Sequence, residues 1–518
     1  MKMVVMGFDG CAVKLLNKWK DRLPAFSYLM EHDKLGTLCS TTPPHTAPGW
    51  TSAFTGVGSG NHGIYQFWDT QAPGYIGKFM GSSDLKRSTV WEILNTFGYK
   101  TGVLNVPMTH PPKELNGFIL TWPLHNTLRY AYPDHLLVEI AEHGGHYISD
   151  LSTMFQGNFK DYIEQACAIT RKRLITLKYL IEKYQYDFYV SVFTEMDRVS
   201  HFYWNYMDKE SPYYIDHVEN ELSLAVENIY KEADAALGAI MQLMDEETLL
   251  LVLSDHGFCK GNLNFYVQSF LLQEGDLTLV EGKPDMTDCN GTASVLDVKT
   301  DSWLECVQDG KKSEIDWTRT KAYMAAPGSY GININLKGRQ HNGIVNKEEF
   351  GSVRNSIMQK LRKVVHPVTG KPLFDKVLPR EEVYTGDMLS GAPDIILIPD
   401  GYGTMVHHDI KPGILFGEPE QKGMHDMDGM FALYGKEVES VTMPSRASIE
   451  DISPTILSYF GIKVPEYFEG KPIYHFHRKD LKVFNNERSH HSKSNSEDSY
   501  SREEAEDAKR RLKALGYL

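Results

Sequence analysis

Five short apolar segments, each ending in a polar or glycine-rich turn, constrain the fold of this chain more than any other feature. They read MVVMGFDG, TGVLNVP, DFYVSVFTEMD, TLLLVLSDHG and PDIILIPDG. Runs rich in Val, Ile, Leu and Phe are typical of strands buried on both faces of a parallel sheet. Helix-length patterns lie between them, for example over residues 161–184, where apolar residues recur every three, four or seven positions. The alternation predicts an α/β fold with a doubly wound, mostly parallel central sheet flanked by helices.

Other segments depart from this alternation and suggest how the chain is divided. One segment carries only helical patterns, and another is less regular, with strands expected at SYGININL and DIILI and a helix near 347–363. Ser501 with Glu504 three residues later matches a capping box, which predicts a terminal helix that packs on the core or on a partner subunit of a homo-oligomer. The predicted divisions are a main domain (1–483) containing a helical insertion or cap (125–185) and a region that could set specificity (285–420), a flexible polar linker (484–500) and a C-terminal helix (501–518).

Charge and cysteine content exclude several classes of protein. The net charge of −14 over 518 residues argues against nucleic-acid binding, which needs a basic surface. An anionic ligand would therefore require local cations such as metal ions. The six Cys are scattered, which indicates reduced thiols rather than a disulfide framework or a zinc ribbon. No stretch approaches the roughly 18 apolar residues of a membrane span, and the first residues do not resemble a signal peptide, so a cytoplasmic location without membrane contact is expected.

Acidic residues follow three of the apolar runs directly, at the place where open α/β sheets form their sites. Each residue alone suits a helix N-cap or a turn, but together they have the composition of a metal site. Carboxylate with imidazole favours Zn²⁺, with Mn²⁺ or Fe as alternatives. In the later segment GMHDMDG, His425 lies in a glycine-flanked loop and is either a surface residue or a further ligand. The candidates at the strand ends are Asp9, Asp197 with His201 four residues later, and Asp255 with His256.

A hydroxyl-rich turn, HTAPGWTSAFTGVGSGNHGI (45–64), precedes a predicted helix start. A Thr hydroxyl is barely nucleophilic at neutral pH, and adjacent side chains in an extended segment point apart, so His45 would be a poor base for Thr46. Coordination to a divalent cation lowers the proton affinity of the oxygen without a base. Pro48 fixes the backbone, Gly49 allows close approach to a ligand, and the N-terminal amides of a helix favour an anion. The turn therefore predicts a metal-bound nucleophile that faces a phosphate.

These motifs, in this order, resemble the alkaline phosphatase superfamily, and within it the type I phosphodiesterase/nucleotide pyrophosphatase branch and its predicted phosphohydrolase/phosphomutase relatives. The likeness covers most of residues 1–475 and is carried by GFDG, TPPHTAPGWTSAFTG, HGI, TEMDRVSH, SDHGF and GMH. It implies an alkaline-phosphatase-like fold and two divalent cations, most simply Zn²⁺. It also implies that Thr46, which precedes the x-Pro turn, is the nucleophile and forms a phosphothreonine that water then hydrolyses. The implied ligands are Asp197, His201 and His425 for one ion, and Asp9, Asp255, His256 and Thr46 for the other.

The residues that would contact substrate depart from that family's pattern. Nucleotide pyrophosphatases carry an Asn shortly after HGI, where this chain has Phe67, and the neighbouring Gln66 is the candidate to replace that Asn in substrate contact. Monoesterases of the superfamily use an Arg, for which Arg198 and Arg339 are candidates, although each also suits an ordinary structural role. Trp50 and Phe67, near the predicted nucleophile, either stack on a nucleobase or pack the sheet against its helices.

Several activities fit this pattern. The first is a phosphodiesterase acting on a small phosphorylated substrate, for which a nucleotide is one option. A phosphomonoesterase and a phosphomutase or phosphotransferase on the same scaffold are the alternatives, and a non-catalytic binding module is a further one, although no expected ligand is missing. A sulfatase is disfavoured, because TAPGW lacks the C/S-x-P-x-R pattern.

Overall fold

A computed structural model describes residues 2–124, 127, 129–151, 159–216, 220–280, 315–484 and 500–514. The strands are, in chain order, β1 (Lys2–Phe8), β2 (Leu35–Cys39), β3 (Thr101–Val106), β4 (Gly117–Thr121), β5 (Ala131–Tyr132), β6 (Phe188–Phe193), β7 (Thr248–Leu253), β8 (Gly257–Lys260), β9 (Leu263–Tyr266), β10 (Ala322–Met324), β11 (Gly331–Ile334), β12 (Phe374–Pro379), β13 (Ile395–Pro399), β14 (Thr404–His407), β15 (Phe416–Gly417), β16 (Gly423–Asp426), β17 (Asp428–Tyr434), β18 (Arg446–Ser448), β19 (Ile462–Lys463) and β20 (Lys482–Val483). The α-helices are α1 (Val13–Lys18), α2 (Pro24–Glu31), α3 (Thr46–Thr55), α4 (Ser59–His62), α5 (Val90–Thr96), α6 (Leu136–Gly144), α7 (Phe159–Tyr184), α8 (Glu195–Met207), α9 (Asn220–Ser223), α10 (Ala225–Leu243), α11 (Val267–Gln273), α12 (Phe350–Leu361), α13 (Ile452–Tyr459) and α14 (Arg502–Ala514).

The large sheet has nine strands within the described residues, in the order β18-β2-β17-β7-β1-β6-β3-β4-β5. Its centre, β7-β1-β6-β3-β4, is parallel throughout, and β17 and β5 run antiparallel to their neighbours. Four of the five apolar runs form β1, β3, β6 and β7, and every residue of β3, β6 and β7 is buried. The predicted α/β class with a mostly parallel central sheet is confirmed.

Helices cover both faces of this sheet, as alternate residues of its strands require. Val4, Met6 and Phe8 of β1 pack into a core cluster with α2, α7, α8 and α10. Met3 and Val5, on the other face, pack with α3, α5 and α13. The two clusters make this a doubly wound three-layer arrangement.

The fifth apolar run, PDIILIPDG, is not part of the large sheet, and this expectation was wrong. It forms β13, which lies in a four-stranded sheet of order β10-β11-β13-β12 and is antiparallel to both neighbours. This sheet packs on α11 and α12 around a separate core cluster. The apolar run correctly indicated a strand with both faces covered, but composition does not encode which sheet covers it. The strand at SYGININL (β11) and the helix near 347–363 (α12) are confirmed.

The segment 125–185 contains more than the expected helices. Its helices are α6 and α7, and β5 adds an antiparallel edge strand to β4. A strand of two residues is too short to show a period in the sequence, which explains why it was missed. Helix α7 packs against β6, α8 and α10, so it belongs to the layer beside the sheet. Residues 125, 126, 128 and 152–158 of this segment lie outside the described residues.

The C-terminal segment packs against the main body. Ser501 N donates to Glu504 Oε2 at 2.8 Å and Glu504 N donates to Ser501 Oγ at 3.3 Å, which confirms the capping box. Tyr500 and Ala508 are buried in a cluster that includes Trp122. Most of the predicted linker (485–499) and residues 515–518 lie outside the described residues. The division into domains stays a prediction.

Two further expectations concern cysteines and membranes. Cys11, Cys39, Cys167 and Cys259 are free thiols, as predicted, and the other two cysteines lie outside the described residues. No helix in the described part of the chain has the length and apolar character needed to cross a bilayer.

Candidate active site

Three neighbouring strands of the large sheet bring acidic residues to one edge. Asp9 follows β1 directly, Asp255 lies two residues after β7, and Asp197 lies in the first turn of α8, which follows β6. All three carboxylates are fully buried. Because β7, β1 and β6 are adjacent and parallel, their carboxyl ends meet at the same place, as the sequence predicted.

A short antiparallel ladder brings in the ligand candidate that is most distant in sequence. Strand β16 pairs with β8, with His425 opposite Phe258, which is two residues from His256. Gly423 begins β16 and lies so close to α8 that a Cβ built on it would be 2.3 Å from the Ser200 carbonyl oxygen. The absence of a side chain at this position therefore allows β16 to bring His425 against α8.

The first group of ligand atoms consists of Asp197 Oδ1 and the Nε2 atoms of His201 and His425. The Nε2 atoms are 3.1 Å apart, and each is 3.2 Å from Asp197 Oδ1. His201 Nδ1 contacts the Gly423 carbonyl at 2.8 Å, and His425 Nδ1 contacts the Pro44 carbonyl at 3.2 Å. A carbonyl only accepts, so each Nδ1 donates, and the Nε2 atoms of the two imidazoles face each other and Asp197 Oδ1. Such an arrangement needs a cation at its centre, either a proton or a metal ion.

The second group surrounds His256 Nε2, which lies 3.2 Å from Asp255 Oδ2, 3.5 Å from Asp9 Oδ1 and 3.4 Å from Thr46 Oγ1. His256 Nδ1 donates to the Gly257 carbonyl at 3.0 Å, so its Nε2 lone pair also faces acceptors. Asp9 Oδ1 and Asp255 Oδ2 are buried and have no hydrogen-bond partner among the described residues. The two groups adjoin, because His256 Nε2 is 4.0 Å from Asp197 Oδ1.

The electrostatics of the carboxylates reflect this crowding. Burial raises the pKa of Asp9 well above its usual value, and the charges of Asp255 and Asp197 raise it further. Burial and the Asp197 charge raise the pKa of Asp255 in the same way. Burial also acts to raise the pKa of Asp197, but His201 and Arg198 outweigh it and hold the pKa well below its usual value.

The donor set fits divalent metal ions. Burial lowers the pKa of both His256 and His425, so these imidazoles are neutral and available as ligands at neutral pH. Buried carboxylate oxygens lie beside imidazole Nε2 atoms in both groups, and in the second group Asp9 Oδ1 and Asp255 Oδ2 have no hydrogen-bond partner among the described residues, so both places favour a cation. Mixed nitrogen and oxygen ligands of this kind suit Zn²⁺, Mn²⁺ or Fe.

Metal binding should release protons. The raised pKa of Asp9 and Asp255 means that, without metal, the pair retains a proton to a higher pH than free carboxylates do; a bound cation expels it. We expect Zn²⁺ binding to release protons, and to release more of them as the pH of the titration is lowered from neutral. Titration calorimetry with Zn²⁺ in buffers of different ionisation enthalpy measures the number directly. A binding heat that does not depend on the buffer would contradict this expectation.

A helix forms beside Thr46, as expected, but it begins at Thr46 itself rather than after Gly49. Helix α3 starts at Thr46, and His45 caps it by accepting a hydrogen bond from Ala47 N at its Nδ1 (3.2 Å). Thr46 is fully buried beside His256. Gly49 allows a close approach, but the neighbour is another part of the protein rather than a ligand. A Cβ at this position would lie 3.1 Å from the Asp255 Cβ. The glycine lets α3 pack directly on the end of β7.

The aromatic and amide candidates for substrate contact are occupied by other interactions. Trp50 is fully buried and donates from Nε1 to Asp9 Oδ2 at 3.2 Å. Phe67 is fully buried and packs edge-on to His45, with ring centroids 5.2 Å apart. Gln66 accepts from Phe67 N at 2.7 Å and donates to the Pro327 carbonyl at 3.5 Å. Both rings are members of apolar core clusters, Trp50 with Phe54 and Phe67 with Trp122, so the structure favours the packing alternative for Trp50 and Phe67.

The two arginine candidates are held in ion pairs. Arg198 is fully buried and contacts Asp197 Oδ2 with Nη1 and Asp150 Oδ2 with Nη2, the latter at 3.2 Å. Arg339 pairs through both Nη atoms with the buried carboxylate of Asp394, which precedes β13 in the smaller sheet. The structure therefore favours the structural alternative over phosphate binding for both residues.

A small cavity adjoins the first ligand group, and most of its lining was missed by sequence reasoning. Its volume is about 30 Å³, room for roughly two water molecules. Tyr330 and Tyr402, which have φ angles of 49° and 55°, lie on different loops and carried no motif that could have identified them. The lining residues are Pro44, His45, His201, Gly328, Tyr330, Tyr402, Met405, Gln421, Met424 and His425.

Comparisons with known proteins identify a family and similar folds. The family model described as type I phosphodiesterase/nucleotide pyrophosphatase matches residues 3–428. The fold is similar to that of wild-type alkaline phosphatase PafA, with a TM-score of 0.50, 15% identity, and coverage of 91% of this chain and 98% of that one. Murine ectonucleotide pyrophosphatase/phosphodiesterase 5 has a TM-score of 0.47 at 14% identity, covering 89% of this chain and 95% of that one. Phosphonoacetate hydrolase from Sinorhizobium meliloti, bound to phosphonoformate, has a TM-score of 0.47 at 14% identity, with 84% and 89% covered. A search of curated proteins gave no sequence match.

Proposed function

The chain belongs to the type I phosphodiesterase/nucleotide pyrophosphatase family, whose members are hydrolytic enzymes, and from that premise we propose that it hydrolyses small phosphodiesters with Thr46 as nucleophile. The family was the one predicted from the motifs. The observation that supports the proposal is the convergence of seven side chains, Thr46 among them, from distant parts of the sequence into two adjoining groups.

Two groups of residues would hold the cations. Asp197, His201 and His425 form one set, and Asp9, Asp255 and His256 with Thr46 Oγ1 form the other. When bound, two divalent ions lower the proton affinity of a coordinated hydroxyl and offset the charge of a phosphoryl group during transfer. We propose Zn²⁺ because imidazole and carboxylate ligands suit it, with Mn²⁺ or Fe as the alternatives.

Thr46 is positioned to attack a phosphoryl group. Thr46 is the first residue of α3, so an anion beside its hydroxyl would lie at the positive end of the helix dipole. Attack forms a bond from Thr46 Oγ1 to phosphorus, breaks the bond to the leaving alcohol and gives a phosphothreonine. Water then hydrolyses that ester and restores the hydroxyl. The burial of Thr46 fixes the attacking oxygen and shields it from bulk water.

The charge of the neighbouring cavity supports a diester rather than a monoester. Among the described residues that line it, none is Lys or Arg. A monoester dianion carries more negative charge than a diester monoanion and depends more on a cationic side chain. Arg198 and Arg339 each form ion pairs with carboxylates, so we assign neither guanidinium to the second negative charge of a monoester.

Two chromogenic substrates test the proposal. With Zn²⁺-loaded protein, we expect kcat/KM for bis-p-nitrophenyl phosphate to exceed that for p-nitrophenyl phosphate by about a hundredfold, because none of the described residues that line the cavity is a Lys or Arg that could offset the second charge. Protein treated with a chelator should cleave neither substrate, and reloading with Zn²⁺, Mn²⁺ or Fe²⁺ separately identifies the preferred metal. Faster cleavage of the monoester would favour the phosphomonoesterase alternative. Phosphoryl transfer to added glycerol in place of hydrolysis would favour the phosphotransferase.

A further inference from the structure

We propose that Arg198 and Asp150 are positioning residues for the group formed by Asp197, His201 and His425. Arg198 holds one oxygen of Asp197 so that the other faces the two imidazoles, and Asp150 balances the guanidinium charge so that the metal site keeps its attraction for a cation. The inference rests on the metal binding proposed above, and it assigns a role to a segment that the sequence only suggested was a cap.

The contacts form a continuous buried chain. Asp197 Oδ1 lies 3.2 Å from the Nε2 atoms of both His201 and His425, while Oδ2 accepts from Arg198 Nη1. Arg198 Nη2 donates to Asp150 Oδ2 at 3.2 Å. No side chain of the Asp197–Arg198–Asp150 chain is more than 1% exposed. The two oxygens of Asp197 therefore have separate partners, and only Oδ1 is directed to the metal position.

Asp150 is itself fixed by several donors. Its Oδ2 also accepts from Trp122 Nε1 at 2.9 Å, and its Oδ1 accepts from Leu151 N at 2.8 Å and Thr194 Oγ1 at 3.3 Å. Asp150 lies between α6 and α7, 48 residues from Arg198 in sequence. A buried carboxylate with this many donors is rigid, and its rigidity passes through Arg198 to the metal ligand.

The charges of these three side chains determine whether Asp150 strengthens or weakens cation binding at Asp197. Asp197, Arg198 and Asp150 together carry one negative charge, which is available to a cation at Oδ1. Without the Asp150 charge the three groups are neutral, and Arg198 withdraws charge from Asp197 alone. A cation at the first ligand group would then be held less tightly, whereas the second group, centred on His256, keeps its own carboxylates.

The experiment measures two Zn²⁺ dissociation constants for each variant by competition with a fluorescent chelator. In Asp150→Asn, which keeps the side-chain shape, we expect one constant to rise about 10- to 100-fold and the other to stay within about threefold. Arg198→Lys keeps the charge, but a single ammonium cannot hold both carboxylates in the same geometry. The dissociation constant that rises in Asp150→Asn should therefore also rise in Arg198→Lys, by a smaller factor than in Asp150→Asn. If Asp150→Asn does not fold, Arg198→Lys decides the question.

Glu195→Gln is the matched control. Glu195 lies in the same turn of α8, is 1% exposed, and pairs with buried Arg173 at 2.5 Å rather than with a metal-ligand residue. Both constants should stay within about threefold of wild type even if the variant is less stable, because second-sphere effects act through direct contacts. Equal weakening in Glu195→Gln and Asp150→Asn, or unchanged constants in both Asp150→Asn and Arg198→Lys, would overturn the positioning role. A wild-type protein that binds no divalent ion would instead overturn the proposed function.

Discussion

Replacement of Thr46 by alanine should lower kcat/KM for a phosphodiester by at least about 10⁴-fold, because it removes the hydroxyl that we propose forms the bond to phosphorus. The hydroxyl lies 3.4 Å from His256 Nε2 at the start of α3. The backbone of the turn is held by the His45 cap and the contact of Gly49 with Asp255, neither of which involves the Thr46 side chain. The fold and the bound metal should therefore survive the substitution.

Thr46→Ser is the control, since it keeps the oxygen and should retain measurable turnover. Steady-state kinetics with the chromogenic diester, together with metal analysis of the same samples, separates loss of the nucleophile from loss of the ions. A phosphothreonine trapped by acid quench and found by mass spectrometry in wild type should be absent in Thr46→Ala. Wild-type activity in the alanine variant would refute the assignment of the nucleophile.

Asp255→Asn should remove one of two metal ions and lower kcat/KM by about 10³-fold or more, because two ions share the charge of the reaction. Asp255 Oδ1 accepts from Gly10 N at 3.3 Å, an interaction that an Asn oxygen can keep. The Asn amide would then occupy the place of Oδ2, 3.2 Å from His256 Nε2, and present hydrogens where a cation should bind. Asp255→Ala should lower the metal content as well.

Asp234→Asn provides the comparison for this variant. Asp234 is a buried carboxylate on α10 that accepts from Phe26 N at 2.9 Å and has no histidine partner among the described contacts. Its replacement should leave two ions per protein and full activity, whatever it does to thermal stability. Elemental analysis of the purified variants gives the stoichiometry. An unchanged metal content in Asp255→Asn would count against Asp255 as a ligand.

The parts of the site predicted from sequence are those that depend on short-range patterns. A buried strand followed within four residues by Asp is a local signal, and adjacent parallel strands bring such endings together, which is why Asp9, Asp197 and Asp255 were predicted to lie at one edge of the sheet. The four-residue spacing of Asp197 and His201 needs only one helical turn, and α8 supplies it. The family resemblance added the pairing of ligands and the choice of Thr46.

The parts that sequence reasoning missed depend on contacts between distant segments. Asp150 belongs to a stretch without a motif, and its partner Arg198 gave no sign of facing inward. Both Trp50 and Phe67 are aromatic residues near the nucleophile, and only coordinates distinguish a buried ring from one that meets substrate. The sheet assignment of β13 failed for the same reason, since its neighbours along the sheet are more than fifteen residues away in the chain.

The ladder between β8 and β16 determines when the proposed metal site can form. The first proposed ligand in the sequence is Asp9 and the last is His425, which lies on a four-residue strand that pairs across more than 160 positions. During synthesis the earlier carboxylates and imidazoles leave the ribosome long before His425, so the nascent polypeptide would offer an incomplete set of the proposed ligands. On this proposal, the complete ligand set depends on synthesis through residue 425, and a product that ends earlier would leave the first ligand group without its third donor.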